Sequence, residues 1–334
     1  MRNMEESMTI LSRLVTTLAT GAFFAAAGPA FAEWPERPVT LIAVAGAGGG
    51  SDYTMRLLAR EMEEATGQSF NVVNQAQGGG IVGYTTYSTS DPDGYTLGQL
   101  SPFAQFKLLG QADFTSDSFT PIAQFNADPA AVHVASDSEL KSLNDIIDAL
   151  KADPSSLKIS CGGTCSASWD IPFVSLMLDE GIDVTRLNLI PAQGSAAGLQ
   201  ELVSGGMDVV LCSIPETDSL ASAGLVKTVG VLSSERLEKY PDVPTAKEET
   251  GKDVTGGTWR GLAGPAGMDP ELVARIEAVA HEAFNAERFQ EGVKERGFGA
   301  VWLGTEDFTA FTKQHEEQTQ RVMTALGTAE KAAN

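Results

Sequence analysis

Hydrophobic positions along the chain follow two alternating periods. Short apolar runs at 39–45, 70–73 and 95–100 read as strands, the last one after the turn Asp91-Pro92-Asp93-Gly94. Between the first two, residues 51–66 form a helical segment in which Leu57, Leu58, Glu61 and Met62 set one apolar face. The rhythm returns further along, with strands predicted over 157–160, 188–190, 208–212 and 227–232. Helices are expected over 142–151, 167–180, 195–204 and 216–223. Strands alternating with helices predict an α/β fold of mostly parallel sheets flanked by helices on both faces.

Two such sets predict two domains, as does a length of 334 residues against the ~150 of a single one. Between the sets lies 119–135, with a strand-like Ala131-Val132-His133-Val134, and a second passage runs over 240–264. Only helices are predicted after it, over 270–285, 287–296 and 305–326. That tail needs a sheet to cover, and the first set has too few helices of its own. The expectation is a discontinuous first domain, 33–130 plus 256–334, around a second, 131–255, with the two crossings forming a hinge.

The N-terminus adds an address. Arg13 precedes an uncharged run over 14–27, and Gly28-Pro29 breaks it before the small-residue site Ala30-Phe31-Ala32. Residues 1–32 read as a signal peptide cleaved between Ala32 and Glu33, with Met8 an alternative start, and the destination is the periplasm. The run is short for an uncleaved membrane anchor.

Composition is that of a globular protein, 43% hydrophobic and 20% charged. The net charge of −21 argues against nucleic acid or an anionic membrane as partner.

Candidate chemistry lies in the loops after the strands, where parallel sheets place ligand crevices and each loop opens into a helix N-terminus. Four are rich in Gly, Ser and Thr: 46–52, with Ala47, Gly48, Gly49, Gly50, Ser51 and Asp52; 77–80, with Gln77, Gly79 and Gly80; 162–166, with Gly163, Thr164, Cys165 and Ser166; and 193–195, Gln193, Gly194 and Ser195. Ser213, directly after the strand 208–212, joins them. Backbone N–H groups freed by glycine and the positive helix ends suit a small molecule with one or two carboxylates. The four loops carry no Lys or Arg, so recognition is expected to rest on dipoles and hydroxyls. Taken singly, each loop also reads as a tight turn.

Other chemistry finds little support. The loop 46–51 brushes a dinucleotide fingerprint, but its sixth position is Ser51. A hydrolase would need a nucleophile elbow, which the sequence lacks. Its histidines read as structural or solvated: His315 on a helix-packing stripe, His281 opposite Leu272, His133 in the hinge strand. Asp52 is expected to cap its helix or meet a ligand donor. In an oxidising compartment one disulfide among Cys161, Cys165 and Cys212 is expected, with the pairing open; three buried thiols are the alternative. Neither a metal nor a cofactor is expected, since no His neighbours the cysteines.

The chain resembles a known family. Its mature start, Trp34-Pro35-Glu36-Arg37-Pro38-Val39-Thr40-Leu41-Ile42, with Gly48-Gly49-Gly50-Ser51-Asp52 and Arg56-Leu57-Leu58-Ala59, is similar to TctC-like receptors. These form the Bug family, the solute-binding proteins of tripartite tricarboxylate transporters. Further matches are Asn74 with Gly79, Gly80 and Gly83, Pro92-Asp93-Gly94-Tyr95-Thr96-Leu97 and Lys141-Ser142-Leu143. Leu202 with Gly205 and Asp208, Tyr240-Pro241-Asp242-Val243-Pro244-Thr245, Trp259 with Gly261-Leu262, and Pro265-Ala266-Gly267 follow in order.

The resemblance implies a monomeric periplasmic binding protein of type II-like fold. It would close two domains over a small carboxylate, a di- or tricarboxylate or an aromatic one, and present it to the large and small membrane subunits of a transporter. By position, residues 47–52 would hold a carboxylate, partly through waters, facing 164–166 and 193–195. Ala43-Val44-Ala45 replaces the family's usual Val-Pro-Phe, Gln75-Ala76 its Arg-Pro, and Trp169 a common His, which leaves room for a larger or flatter ligand. A receptor that signals to a membrane sensor kinase is the alternative output.

Overall fold

The computed structural model describes residues 34–328 apart from Gly49, Thr164 and Gln193. The expected leader 1–32 and its cleavage before Glu33 lie outside the described residues. In chain order the elements are β1 (Val39–Ala43), α1 (Gly50–Thr66), β2 (Phe70–Asn74), α2 (Ile81–Ser88), β3 (Thr96–Leu100), α3 (Gln105–Leu108), β4 (Phe119–Pro129) and β5 (Ala131–Ala135). Then come α4 (Leu143–Ala152), β6 (Lys158–Ser160), α5 (Asp170–Asp179), β7 (Asn188–Ile190), α6 (Ser195–Val203), β8 (Val209–Cys212), α7 (Asp218–Ser222), β9 (Val226–Val231) and α8 (Ala246–Thr250). The chain ends with β10 (Gly257–Pro265), α9 (Pro270–Asn285), α10 (Glu287–Glu295), β11 (Ala300–Leu303) and α11 (Thr305–Ala325).

Local chemistry explains these bounds. Ser142 caps α4 by accepting from Asp145 N, and Leu143, Ile146, Ile147 and Leu150 form its buried stripe. Asp269 caps α9, Pro270 fills its first turn, and Val273, Ile276, Ala280 and Ala283 face the core. On α1 the buried face is Met55, Leu58, Ala59 and Met62.

The strands make two sheets, ordered β11-β4-β10-β3-β1-β2 and β7-β6-β8-β5-β9. Both are mixed rather than mostly parallel. Each has a parallel half at one end, β2-β1-β3 or β7-β6-β8, extended on one side by antiparallel strands. The reason is the crossing: β4 runs the length of the first sheet, and after Ala130 alone the chain continues as β5 in the second. β10 returns beside β4, antiparallel to it, from Gly257 opposite Pro129 to Pro265 opposite Phe119. The passage expected to hold one short strand therefore contains the longest strand among the described residues, 11 residues.

The tail differs from its expectation in two ways. It contains β11, which extends the first sheet antiparallel to β4. Gly297, at φ +75°, turns the chain after α10 and sends these four residues back along the edge. The helix α11 also serves both sheets. Its Phe308 packs with Trp259 in the first core, whereas Val322 and Met323 belong to the second core with Phe173 and Met177 of α5. Arg321 Nη2 meets Asp179 Oδ1 at 2.6 Å on the same side. Among the described residues no helix is long and apolar enough to cross a membrane.

Candidate functional site

The loops after the parallel strands are built in pairs at the C-terminal edge of each sheet. In the first sheet β1 and β2 run in register, Ala43 opposite Asn74, so their loops leave together. Gln75 N donates to Ala43 O at 2.8 Å, and Asn74 Nδ2 to Ala45 O at 3.0 Å. Gln77–Gly80 forms a tight turn in which Gly80, at φ +102°, lies so close that a Cβ would stand 2.7 Å from Val44 O. Only glycine permits that approach.

Asp52 lies buried in the first turn of α1 and folds back on its own loop. Oδ2 accepts from Gly48 N at 2.8 Å; Oδ1 accepts from Arg56 Nε at 2.8 Å and Asn74 Nδ2 at 2.9 Å. Burial alone would raise this carboxyl, but Gly48 N–H, Asn74 and Arg56 outweigh it and hold the pKa below the usual value. Asp52 thus braces its own loop.

The second sheet repeats the device. Asp170, at the start of α5, accepts from Ser166 N at 2.5 Å and from Ala167 N at 3.3 Å. Here burial prevails over the backbone donors of Ser166, Ala167, Asp170 and Ile171, and the carboxyl is pushed up to about 6. Ser166 itself adopts φ +64°. In both units, then, a loop N–H is held by a carboxylate four residues on, which leaves that N–H spent on the protein and not on a ligand. An Asp at this spacing into a helix is the sequence signal that could have exposed the pairing.

Around Asp170 the three second-sheet loops interlock. Ala192 N donates to Gly163 O at 2.9 Å, and Ser195 Oγ to Gly162 O at 3.2 Å. Gly162 has φ +65°, and a Cβ there would stand 1.8 Å from Leu211 O. The disulfide is Cys161–Cys165, which closes the loop on itself; Cys212 is free and buried, and burial pushes its thiol up. Ser213 donates Oγ to Glu216 Oε2 at 3.0 Å, capping the turn that follows β8.

The expected site residues thus fall into two clusters, Ala47, Gly48, Gly50, Ser51, Asp52, Gln77, Gly79 and Gly80 at the first sheet and Gly163, Cys165, Ser166, Gly194, Ser195 and Ser213 at the second. Gly49, Thr164 and Gln193 lie outside the described residues. A cavity of about 800 Å³ opens between connections of both sheets, walled among others by Asp128, Ser213, Pro215, Tyr240, Lys239 and Phe298. Of the candidate residues, Ser213 lines it.

Sequence reading missed a buried cation. Arg260 on β10 donates Nε to Ser51 Oγ at 3.0 Å and Nη1 to Asp128 Oδ2 at 2.7 Å and to Asn126 Oδ1. Its side chain is 8% exposed, and its guanidinium lies 5.5 Å from the Phe298 ring. The first loop contains no Lys or Arg, yet the fold supplies one from 209 residues away. Nothing local in the sequence marks that approach.

Two of the three histidines are buried in the cores and the third is exposed. His133 is buried between Thr228 Oγ1 at 3.0 Å and Cys212 O at 3.2 Å, and burial lowers it to about 4. His315 is buried against Trp259, also lowered by burial to about 4. His281 is exposed and packs on Trp302. Among the described residues no three His, Cys, Asp or Glu side chains are grouped to hold a metal.

Similarity to known proteins agrees with this architecture. The chain is 26% identical to protein BugT of Bordetella pertussis over 315 residues, covering 90% of this chain and 92% of that one. Among solved structures, a TctC solute-binding protein from Polaromonas is 27% identical with a TM-score of 0.77, covering 87% of this chain and 99% of the other. MatC of Rhodopseudomonas palustris, solved with bound malate, shares the fold at a TM-score of 0.70 and 23% identity, over 86% of this chain and 99% of its own. The family of tripartite tricarboxylate transporter receptors, TctC, matches residues 54–328, and the chain belongs to it as a periplasmic solute-binding receptor.

Proposed function

We propose that this receptor captures a small carboxylate between its two units and delivers it to the large and small membrane subunits of a tripartite tricarboxylate transporter. The observation that carries the reading is the family match over residues 54–328 joined to glycine-rich loops at the parallel edge of both sheets. The malate bound by MatC supports a dicarboxylate as the ligand class. We take the units to be 33–130 with 256–334 and 131–255, moving about Ala130 and the entry to β10, and the receptor to act as a monomer after cleavage between Ala32 and Glu33.

The ligand residues proposed are Ala47, Gly49, Gly50 and Ser51 on one wall, shaped by Gly48 whose N–H Asp52 holds, with Gln77, Gly79 and Gly80 beside them, and Gly163 to Ser166, Gln193 to Ser195 and Ser213 opposite. Asp52 belongs to the wall as its brace. A thermal-shift screen of carboxylates, amino acids and sugars tests the reading, because a ligand that binds only the folded form stabilises it by mass action. Dicarboxylates or aromatic carboxylates raise Tm if it is right. A rise with sugars or cations, and none with any carboxylate, overturns it.

A further inference from the structure

We infer that Arg260 is a positioning residue for ligand binding, which orients the Ser51 hydroxyl so that its proton points away from the cation and is available to a bound carboxylate. The inference rests on the proposed carboxylate reading and adds to it a specificity-determining contact.

A serine hydroxyl has one proton to donate and lone pairs to accept with. At Ser51 the acceptor side is taken by Arg260 Nε at 3.0 Å. The cation cannot accept in return, so the hydroxyl proton must point away from it. Among the described residues no group accepts from Ser51 Oγ. The other loop serines are arranged differently: Ser195 donates to Gly162 O and Ser213 to Glu216 Oε2, so their protons are spent inside the protein.

Arg260 is held for this task on three sides. Asp128 Oδ2 and Asn126 Oδ1 fix Nη1, and both acceptors are themselves tied to the 299 turn, Asp128 Oδ1 accepting from Gly299 N at 2.9 Å and Asn126 Nδ2 donating to Gly299 O at 2.8 Å. Nη2 lies against Gly50, where a Cβ would approach it to 2.9 Å. The guanidinium therefore sits under the first turn of α1 with little freedom. A charge-assisted bond onto Ser51 Oγ also makes the remaining O–H a stronger donor. Ser51 thus offers an anion a polarised hydroxyl although its loop carries no Lys or Arg of its own.

A planar fork is needed for this geometry. Lysine at 260 would offer a point charge that cannot serve Ser51 and Asp128 along two fixed directions.

Isothermal titration with succinate, malate, adipate and citrate, on the wild type and on Ser51→Ala, Ser51→Thr, Arg260→Gln and the double variant Ser51→Ala/Arg260→Gln, tests the inference. Expected are about a tenfold loss of affinity for the best of these ligands in each alanine or glutamine variant, no further loss in the double variant, and retention in Ser51→Thr. This coupling is what a merely structural Arg260 would not produce. Should Arg260→Gln fail to fold because Asp128 is left unpaired, Arg260→Gln/Asp128→Asn takes its place. Wild-type affinity in Ser51→Ala, or additive losses in the double variant, overturns the inference and leaves the carboxylate reading standing. Failure of the wild type to bind any of the four, or any aromatic carboxylate, overturns both.

Discussion

His315 shows how a single residue sets a solution property. Its ring packs edge-on to Trp259 at 5.2 Å between centroids, its Nδ1 has no partner among the described residues, and burial lowers its pKa to about 4. His133 is lowered equally. In the unfolded chain both take a proton near 6.5, so their contribution to stability is intact above that pH and is lost as pH falls through 6.5 towards 4. Asp170, raised to about 6, acts oppositely: its contribution is present below about 3.8 and is lost as pH rises through 6. Between pH 7 and 5 each histidine costs about 2 kcal/mol and Asp170 returns about 1. Net stability therefore falls by about 3 kcal/mol on acidification, and Tm with it. His315→Phe, which keeps an aromatic ring beside Trp259, should remove about half of the histidine loss; denaturant melts at pH 7 and 5 measure it, and an unchanged pH slope would refute the assignment. At Asp52, replacement by Ala removes the acceptor for Gly48 N, Arg56 and Asn74, and about 1 to 3 kcal/mol should be lost in the same melts. Residue-scale chemistry was the least legible part of the sequence. Arg260 reaches Ser51 across 209 residues, and it is the pairing of β10 with β3, itself beside β1, that brings it there.

Among elements, those with an internal period were readable and those defined by a partner were not. The stripe of α4 and the apolar run of β1 announce themselves, because burying one face leaves a pattern along the chain. β11 does not: four residues, two of them exposed, pair with β4 only because Gly297 turns them back. The parallel halves of both sheets follow from strands alternating with helices, but the antiparallel extensions depend on where the chain crosses. The loop Cys161–Cys165 illustrates the same limit, since three cysteines allowed three pairings and the fold chose the shortest. Closing so small a loop constrains the unfolded chain by only about 2 kcal/mol. Reduction should accordingly lower Tm by a few degrees, while affinity for whichever carboxylate the thermal-shift screen identifies falls more than stability if the loop is a ligand wall. Parallel thermal melts and titrations with and without reductant separate these effects, and equal affinity in both states would assign the bridge a purely structural role.

As a whole molecule the chain is a binding protein and not an enzyme, as its family membership states. Its charge of −21 sets a long-range field that opposes the approach of an anion. That field is screened over about 8 Å at 0.15 M salt, whereas contacts within a loop are not. Raising salt from low to physiological strength should thus speed association with a dicarboxylate and leave its dissociation nearly unchanged, as stopped-flow traces would report; slower association would mean that local positive charge steers the ligand. The two sheets are joined at Ala130, between β9 and β10, and along α11. Val322→Ala, near the C-terminus, should destabilise the second unit by about 2 kcal/mol although its strands end at Val231. The two strand connections can swivel, but a helix fastened at Phe308 to one core and at Met323 to the other is a strut. If the two units move as proposed, that motion must either pivot around the strut or detach one of its ends.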